Sequence, residues 1–161
     1  MTKQLNKKGT SLVELIAVIV IMGIIAGIAV PVTIAVINRQ KKNASAKSCE
    51  AIVSAIKQAT NEVVGEANGA DVTIKLVFEN KANKPKTVSV TSGTGDGQQK
   101  FTEYADADFL VENLACTGTI EAIYTIDSAE YEFKVTTLSV NGYNITAISA
   151  AGKATVGTKA A

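Results

Sequence analysis

The sequence has no histidine and no tryptophan, and only 5% of its residues are aromatic. Histidine is the commonest general base and metal ligand in proteins, so hydrolytic triads and most zinc sites have little support here. Cysteine is also scarce, with two residues in a chain of 161. We therefore expect that the protein is not an enzyme and that it holds no cofactor and no metal.

Charged residues make up 19% of the chain and are almost balanced, with a formal net charge of +1. Three of the sixteen basic residues, Lys3, Lys7 and Lys8, precede Gly9. Without residues 1–9, thirteen basic side chains remain against fifteen acidic ones, a net charge of −2. Proteins that bind DNA or RNA neutralise phosphates with clustered Lys and Arg. We expect no nucleic-acid partner.

The most conspicuous segment is an apolar run at residues 9–37, GTSLVELIAVIVIMGIIAGIAVPVTIAVI. The 23 residues from Leu15 to Ile37 carry no charge. As a helix they would measure about 34 Å at 1.5 Å per residue, enough to cross a bilayer core. Glu14 lies near the start of the run, where a charge costs less than at its centre. It is either tolerated near the membrane interface or it pairs with a positive charge supplied from outside the run.

Two ordinary kinds of membrane-targeting segment explain part of this pattern. A cleaved secretory signal also has lysines before an apolar stretch, but this run is longer than the usual 7–15 residues, carries Glu14 and lacks a clear A-x-A site. A plain signal anchor requires only hydrophobicity. Basic residues flank the run on both sides, so charge alone leaves the membrane topology open. They are Lys3, Lys7 and Lys8 before it and Arg39, Lys41 and Lys42 after it, the last three being expected at a headgroup boundary.

The run also contains a predicted weak point in its helix. Gly23 and Gly27 form a G-x-x-x-G pair, which allows close approach between helix backbones. Pro31 has no N–H and clashes with the carbonyl of Gly27, four residues earlier. The pattern therefore predicts a helix that is weakest between Gly23 and Pro31. A kinked membrane anchor would show the same residues.

The N-terminal sequence resembles the class III signal of type IV pilins and pseudopilins. The resemblance rests on Lys7-Lys8-Gly9, on Thr10-Ser11-Leu12-Val13-Glu14 and on the long apolar helix, and it covers roughly residues 7–40. It implies that a prepilin peptidase cuts between Gly9 and Thr10 and that the new N-terminus at Thr10 is methylated. The family normally has phenylalanine where this chain has Thr10. Glu14, Gly23 and Pro31 match residues that the family carries at the same spacing.

The resemblance also implies a function. In the family, the glutamate of an incoming subunit is thought to pair with the N-terminal amine of a neighbour, and an amine exposed by cleavage has a pKa near 7.7–8.0. Thr10 and Glu14 are also i, i+4 neighbours, so a pair within one chain would use the same two charges. The loosened stretch between Gly23 and Pro31 would help the subunit leave the bilayer and pack into a filament.

The resulting prediction is a structural subunit of a type IV pilus-like surface filament. Its partners would be other copies of the chain in a helical filament, the prepilin peptidase, the pilus assembly machinery and membrane lipid before assembly. It would be a single-pass membrane protein first and part of an extracellular filament later. The alternatives are a pseudopilin of a type II secretion or competence system, and a signal-anchored surface domain that never polymerises.

The remaining sequence predicts an α+β fold, in which one long N-terminal helix, first membrane-spanning and then amphipathic, packs on a small antiparallel β-sheet. The chain divides into a cleaved leader (1–9), the apolar helix segment (10–37) and a globular head (38–161). Within the head, apolar residues at helical spacing predict that the helix continues over 38–64, with Gly65 as its C-cap. That stripe comprises Ala46, Cys49, Ile52, Val53, Ile56, Ala59 and Val63.

The predicted sheet lies within residues 72–149. Alternation predicts strands at 72–78, 87–90, 119–126 and 131–140, with a turn at 127–129. Asn141-Gly142 predicts a tight hairpin into a strand at 143–149. Polar residues predict an exposed loop over 79–100, around the short strand at 87–90. A short helix is predicted within residues 103–115. The tail, 150–161, has no core pattern and is predicted to be mobile.

Two further features concern possible cross-links and ligands. Cys49 lies on the apolar stripe, so a buried free thiol is one interpretation, but an extracytoplasmic domain permits a disulfide, and we favour a Cys49–Cys116 bond that ties the helix to the region just before the sheet. Asp106, Asp108 and Glu112 have oxygen ligands suited to calcium, although their spacing is not that of an EF-hand. A solvated acidic helix face is the preferred interpretation, with no metal.

Overall fold

A computed structural model describes residues 12–112 and 114–160. Its first element is α1, Leu12–Val64, a continuous helix of 53 residues that contains Pro31. The described residues divide into two units between Gln40 and Lys41, and we call the unit that begins at Lys41 the head unit. The predicted cleavage residues Gly9 and Thr10 lie outside the described residues.

Within the head unit, α1 is amphipathic, as its periodicity predicts. Its buried residues are Ser45, Cys49, Ile52, Val53, Ile56, Ala59, Thr60 and Val63. Ala46, predicted on the stripe, is only half-buried. Ser45 and Thr60 were missed because they are polar, but each donates its hydroxyl to the carbonyl four residues earlier, to Lys41 at 3.0 Å and to Ile56 at 2.8 Å. Their burial therefore leaves no hydroxyl without a partner.

Within the described residues, the head unit also contains one seven-stranded antiparallel sheet and short 3-10 turns at Gly95–Gly97 and Asp106–Phe109. The strands are β1 (Val72–Ala82), β2 (Thr87–Ser92), β3 (Gln99–Phe101), β4 (Cys116–Thr125), β5 (Glu130–Val140), β6 (Tyr143–Ile148) and β7 (Ala154–Lys159). Their spatial order is β3-β2-β1-β4-β5-β6-β7. Only β1 and β4 are neighbours without being consecutive in the chain. The predicted fold class, a long helix followed by an antiparallel sheet, is confirmed.

Alternation along the strands decides which face of the sheet is covered. In β1, Val72, Ile74, Leu76 and Phe78 are buried, whereas Lys75 between them is exposed. The buried face shares one hydrophobic cluster with the α1 stripe, including Cys49, Ile52 and Ile56. Burying a Leu, Ile or Phe side chain contributes roughly 1.5–3 kcal/mol. The apolar stripe of α1 therefore covers the apolar face of the sheet, and the sheet covers the stripe in turn.

Both predicted hairpin turns are present. Ala129, at φ 54°, lies in the turn between β4 and β5, where its N–H donates to the carbonyl of Ile126 at 3.3 Å. Asn141 and Gly142, at φ 49° and 80°, connect β5 to β6. Positive φ at both central residues is the signature of a type I′ turn, which matches the twist of antiparallel strands.

Several boundaries correct the sequence prediction. β1 extends to Ala82 and a short β3 lies at residues 99–101, so 79–100 is not simply an exposed loop. The tail is not without structure, because β7 pairs with β6 at the edge of the sheet. An edge strand buries few of its side chains, so its sequence shows little apolar alternation. The short helix within 103–115 is a single 3-10 turn, Asp106–Phe109.

The end of α1 also differs from the prediction. Gly65 does not adopt the left-handed conformation of a C-cap, since the positive φ values in this region belong to Asn68 and Gly69. The N–H of Glu66 donates to the carbonyl of Val63 at 2.9 Å. This i to i−3 bond tightens the last turn and satisfies a terminal carbonyl in place of the glycine motif.

Candidate functional site

The apolar half of α1 is the candidate functional segment. Every residue from Leu12 to Gln40 is exposed in the isolated chain, including Leu12 at 73% and Ile28 at 66%. Among the described residues, α1 is the one helix that is long and apolar enough to cross a membrane, and none of its most apolar window is buried. A signal sequence near an N-terminus would satisfy the same criterion. A helix that is hydrophobic all round requires lipid or other apolar surfaces around it.

The residues predicted from the sequence occupy defined places on this segment. Glu14 lies in the first turn of α1, where the positive end of the helix dipole favours a carboxylate. Gly23 and Gly27 have no atom outside the local helix backbone within 4 Å of an added Cβ, so both present bare backbone to the exterior. The structure brings Glu14, the two glycines and Pro31 onto one helix. The predicted cleavage residues Gly9 and Thr10 lie outside the described range.

The helix remains continuous through Pro31. Near it, the hydroxyl of Thr33 donates to the carbonyl of Ala29 at 2.8 Å, an i to i−4 bond in parallel with the helix ladder. Such bonds satisfy the hydroxyl locally and are associated with slight bending of helices. The sequence prediction did not include Thr33. A hydroxyl in an otherwise apolar helix nevertheless indicates a hydrogen bond to the carbonyl four residues earlier. The weakness predicted between Gly23 and Pro31 stays a prediction.

In the head unit, Asn141 joins three elements. Its amide nitrogen Nδ2 donates to Ser48 Oγ of α1 at 3.1 Å, and its Oδ1 accepts from the N–H of Ala115 at 2.8 Å. Its own N–H donates to the Ala115 carbonyl, also at 2.8 Å. The sequence predicted only the turn at Asn141. The side-chain bonds connect residues distant in the chain, which no local pattern reveals.

Lys57 fixes the loop before β7 against α1. Its Nζ donates to the carbonyl of Ala151 at 2.9 Å and lies 4.9 Å from the centre of the Tyr131 ring. Gly152, at φ +92°, allows the close approach, because an added Cβ would lie 2.8 Å from Val53 Cγ1. A cation over an aromatic face contributes about 0.5–1 kcal/mol at exposed sites. These contacts hold the C-terminal region that the sequence predicted to be mobile.

Cys49 and Cys116 are both fully buried and are free thiols in this structure, so the predicted disulfide is not formed. Cys116 is the first residue of β4 rather than part of a segment before the sheet. Burial raises the pKa of each thiol to about 12, and the neighbouring Cys49 contributes to the shift at Cys116. Both side chains are therefore neutral thiols at physiological pH.

Two of the three acidic residues considered as calcium ligands, Asp106 and Asp108, have protein partners in this structure. Asp106 pairs with Lys84 at 2.7 Å, and the hydrogen bond from Lys84 lowers the pKa of Asp106. Asp108 Oδ2 accepts from the N–H of Ala105 at 2.7 Å. Glu112 lies in a turn. Over residues 12–112 and 114–160, no group of three or more Cys, Asp or Glu side chains is arranged to hold a metal ion.

A groove of about 350 Å³ between α1 and the loop before the 3-10 turn is lined by Glu62, Glu103, Tyr104 and Asp108, among others. Tyr104 donates its hydroxyl to Glu62 Oε2 at 3.2 Å. Burial, and then this bond to Glu62, raise the pKa of Tyr104 to about 12. Tyr104 is therefore protonated at neutral pH, next to the carboxyl groups that line the groove.

No model of a known protein family matches this chain. No solved structure matches it either.

Proposed function

We propose that this protein is a structural subunit of a type IV pilus-like surface filament. A prepilin peptidase cuts it between Gly9 and Thr10, the apolar half of α1 holds it in the membrane, and the same segment then forms the interior of a helical filament. The observation that carries the proposal is the contrast within α1. Residues 12–40 are exposed on every side, whereas the helix from Ser45 to Val63 is buried along one stripe.

The exposure of the apolar half of α1 favours a segment that is surrounded first by lipid and later by other copies of itself. A helix without a polar face has no stable place in water. Lipid satisfies it before assembly, and the same segments of other copies satisfy it afterwards. The bare backbone at Gly23 and Gly27 suits close packing between helices in both environments.

Glu14 gives the proposal its mechanism. Its carboxylate lies in the first turn of α1, close in sequence to the amine that cleavage after Gly9 would create. Opposite charges attract more strongly in apolar surroundings than in water, because the energy scales as 1/(εr). In a bundle of apolar helices, pairing Glu14 with the amine of a neighbouring copy fixes the axial register of the two subunits. The methylated amine at Thr10 would keep its charge.

The test uses Glu14→Val and Glu14→Gln in the native host, beside the wild type. Membrane and sheared surface fractions are probed for the cleaved protein. We expect both variants to be cleaved and inserted but to be depleted from surface filaments at least tenfold. Normal filament yield from both variants would refute the pairing. Glu14→Gln keeps size and hydrogen bonding, so it separates loss of charge from loss of shape.

Cleavage is tested separately with Gly9→Val, because a branched side chain should not fit a peptidase pocket that accepts glycine. We expect an uncleaved precursor that stays in the membrane. N-terminal sequencing of the wild-type protein should begin at Thr10. Cleaved wild-type protein that never enters a surface filament would favour the pseudopilin, and an intact leader would favour the non-polymerising anchor.

A further inference from the structure

The two cysteines carry an inference that does not rest on the proposed function. Cys49 and Cys116 lie on different elements, α1 and β4, and both belong to the core cluster with no exposed surface. They are the only cysteines in the chain. A pair of thiols brought together in a core has a chemistry that an isolated buried thiol lacks.

Hydrogen bonds around the pair hold the two elements in register. Ser48, next to Cys49, accepts from Asn141 Nδ2 at 3.1 Å, and Ala115, next to Cys116, donates to Asn141 Oδ1 at 2.8 Å. One side chain thus bridges the immediate neighbours of both cysteines. Cys116 also pairs with Val140, the residue before Asn141, across β4 and β5. The two segments that carry the cysteines are therefore held against each other through Asn141.

We propose that Cys49 and Cys116 form a cross-link site that is open to oxidation only before the head unit closes. In the closed fold both sulfurs are inaccessible, so an external disulfide cannot reach either of them. While α1 is not yet packed on the sheet, both thiols are accessible. The redox state that the pair has when the fold closes is then retained.

The oxidation is a thiol–disulfide exchange with a small-molecule disulfide or with the disulfide of an oxidoreductase. The thiolate of one cysteine attacks the external disulfide, forms a mixed disulfide and releases one external thiolate. The second cysteine thiolate attacks the mixed disulfide, forms the Cys49–Cys116 bond and releases the other external thiolate. The two protons lost by the cysteines end on the two external thiols, and the external disulfide is reduced by two electrons.

Accessibility is tested on the reduced full chain in detergent micelles, with oxidised glutathione as the probe. Samples in native buffer and in denaturant are quenched with a thiol-alkylating reagent and mapped by mass spectrometry. We expect the Cys49–Cys116 peptide to form at least about 100-fold more slowly in the folded protein, because exchange requires opening of the core. Equal rates in the two conditions would overturn the proposal.

Compatibility with the fold is tested by refolding the oxidised chain. The bond closes a loop of about 67 residues, so we expect the oxidised protein to recover the circular dichroism spectrum of the reduced protein and a Tm roughly 10–20 °C higher. An oxidised chain that fails to refold, or that unfolds at or below the reduced Tm, would show that the two positions are not a cross-link site.

The matched control is the double variant Cys49→Ala and Ala51→Cys. Ala51 is exposed on α1, so its cysteine closes a loop of nearly the same length from the wrong face of the helix. Oxidation should destabilise this variant relative to its reduced form. A rise in Tm equal to that of the wild-type chain would mean that loop length alone, rather than the placement of Cys49, produces the effect.

Discussion

Replacing Asn141 tests whether its side chain, rather than its turn conformation, ties the head unit together. Asn141→Gly keeps the positive φ that the turn needs but removes both side-chain hydrogen bonds. Asn141→Asp keeps an acceptor for the Ala115 N–H, and the hydroxyl of Ser48 can rotate to donate to the new carboxylate. The pair of variants therefore separates backbone conformation from hydrogen bonding at one position.

The size of the effect follows from the groups left behind. The N–H of Ala115 is partly buried, so losing its acceptor costs about 1–2 kcal/mol. The bond to Ser48 contributes about 0.5–1 kcal/mol, and the extra freedom of glycine in the unfolded chain adds about 0.4–1 kcal/mol. We expect Asn141→Gly to lower the free energy of unfolding by roughly 2–4 kcal/mol and Asn141→Asp by less than about 1 kcal/mol.

The assay is urea unfolding of the full chain in detergent, followed by circular dichroism, with the slope of the transition checked for each variant. Ser48→Ala is the control for the helix side, and it should cost no more than about 1 kcal/mol because Asn141 keeps its bond to Ala115. An Asn141→Gly variant within about 0.5 kcal/mol of wild type would refute the reasoning, since surface changes commonly fall in that range.

Three further predictions concern other contacts of the head unit. Gly118→Ala should destabilise the fold by more than about 3 kcal/mol or prevent folding, because its Cβ would collide with the backbone of Thr137. Gly95→Ala, at φ +68° and with open space around the added Cβ, should cost only about 1–2 kcal/mol in urea unfolding. Lys57→Met should increase amide exchange in the loop at 149–152 while leaving β1 protected. In the reduced protein, the free energy of unfolding should fall as pH rises from 9 towards 12, because the pKa of the thiols is near 9.0 in the unfolded chain and about 12 in the folded one. In the double variant Cys49→Ala and Cys116→Ala, the free energy of unfolding should fall less steeply between pH 9 and 10. An unchanged pH profile in that double variant would contradict the burial of the thiols.

The sequence predicted the features that repeat along the chain. Helical spacing of apolar residues placed α1, and alternation placed the central strands β1, β4 and β5. Asn141-Gly142 predicted its hairpin because only a few residues adopt positive φ without strain. The candidate segment was equally readable, since Glu14, Gly23, Gly27 and Pro31 depend on one-dimensional spacing.

Features that depend on an edge of the sheet, on a buried polar residue or on a distant residue were not predicted. β3 and β7 are edge strands, so few of their side chains are buried and their pattern is weak. Ser45 and Thr60 are buried despite being polar, because each hydroxyl bonds within its own helix. β4 begins at Cys116 rather than at residue 119 and shifts register between Thr117 and Thr119. Gly118, just before the predicted strand at 119–126, is the residue in the sequence that indicates this bulge.

The order of the strands also decides how the head unit is put together in time. Every neighbouring pair except β1 and β4 joins consecutive strands, so β1–β3 and β4–β7 are two blocks that can each pair through short connections. Closing the longer connection between them costs more chain entropy, and it must be closed before the β1–β4 contacts contribute. We therefore expect the seam between β1 and β4, where Ile74 faces Ala122 and Leu76 faces Ile120, to set the folding rate. Substitutions in β7 should instead change mainly the rate of unfolding.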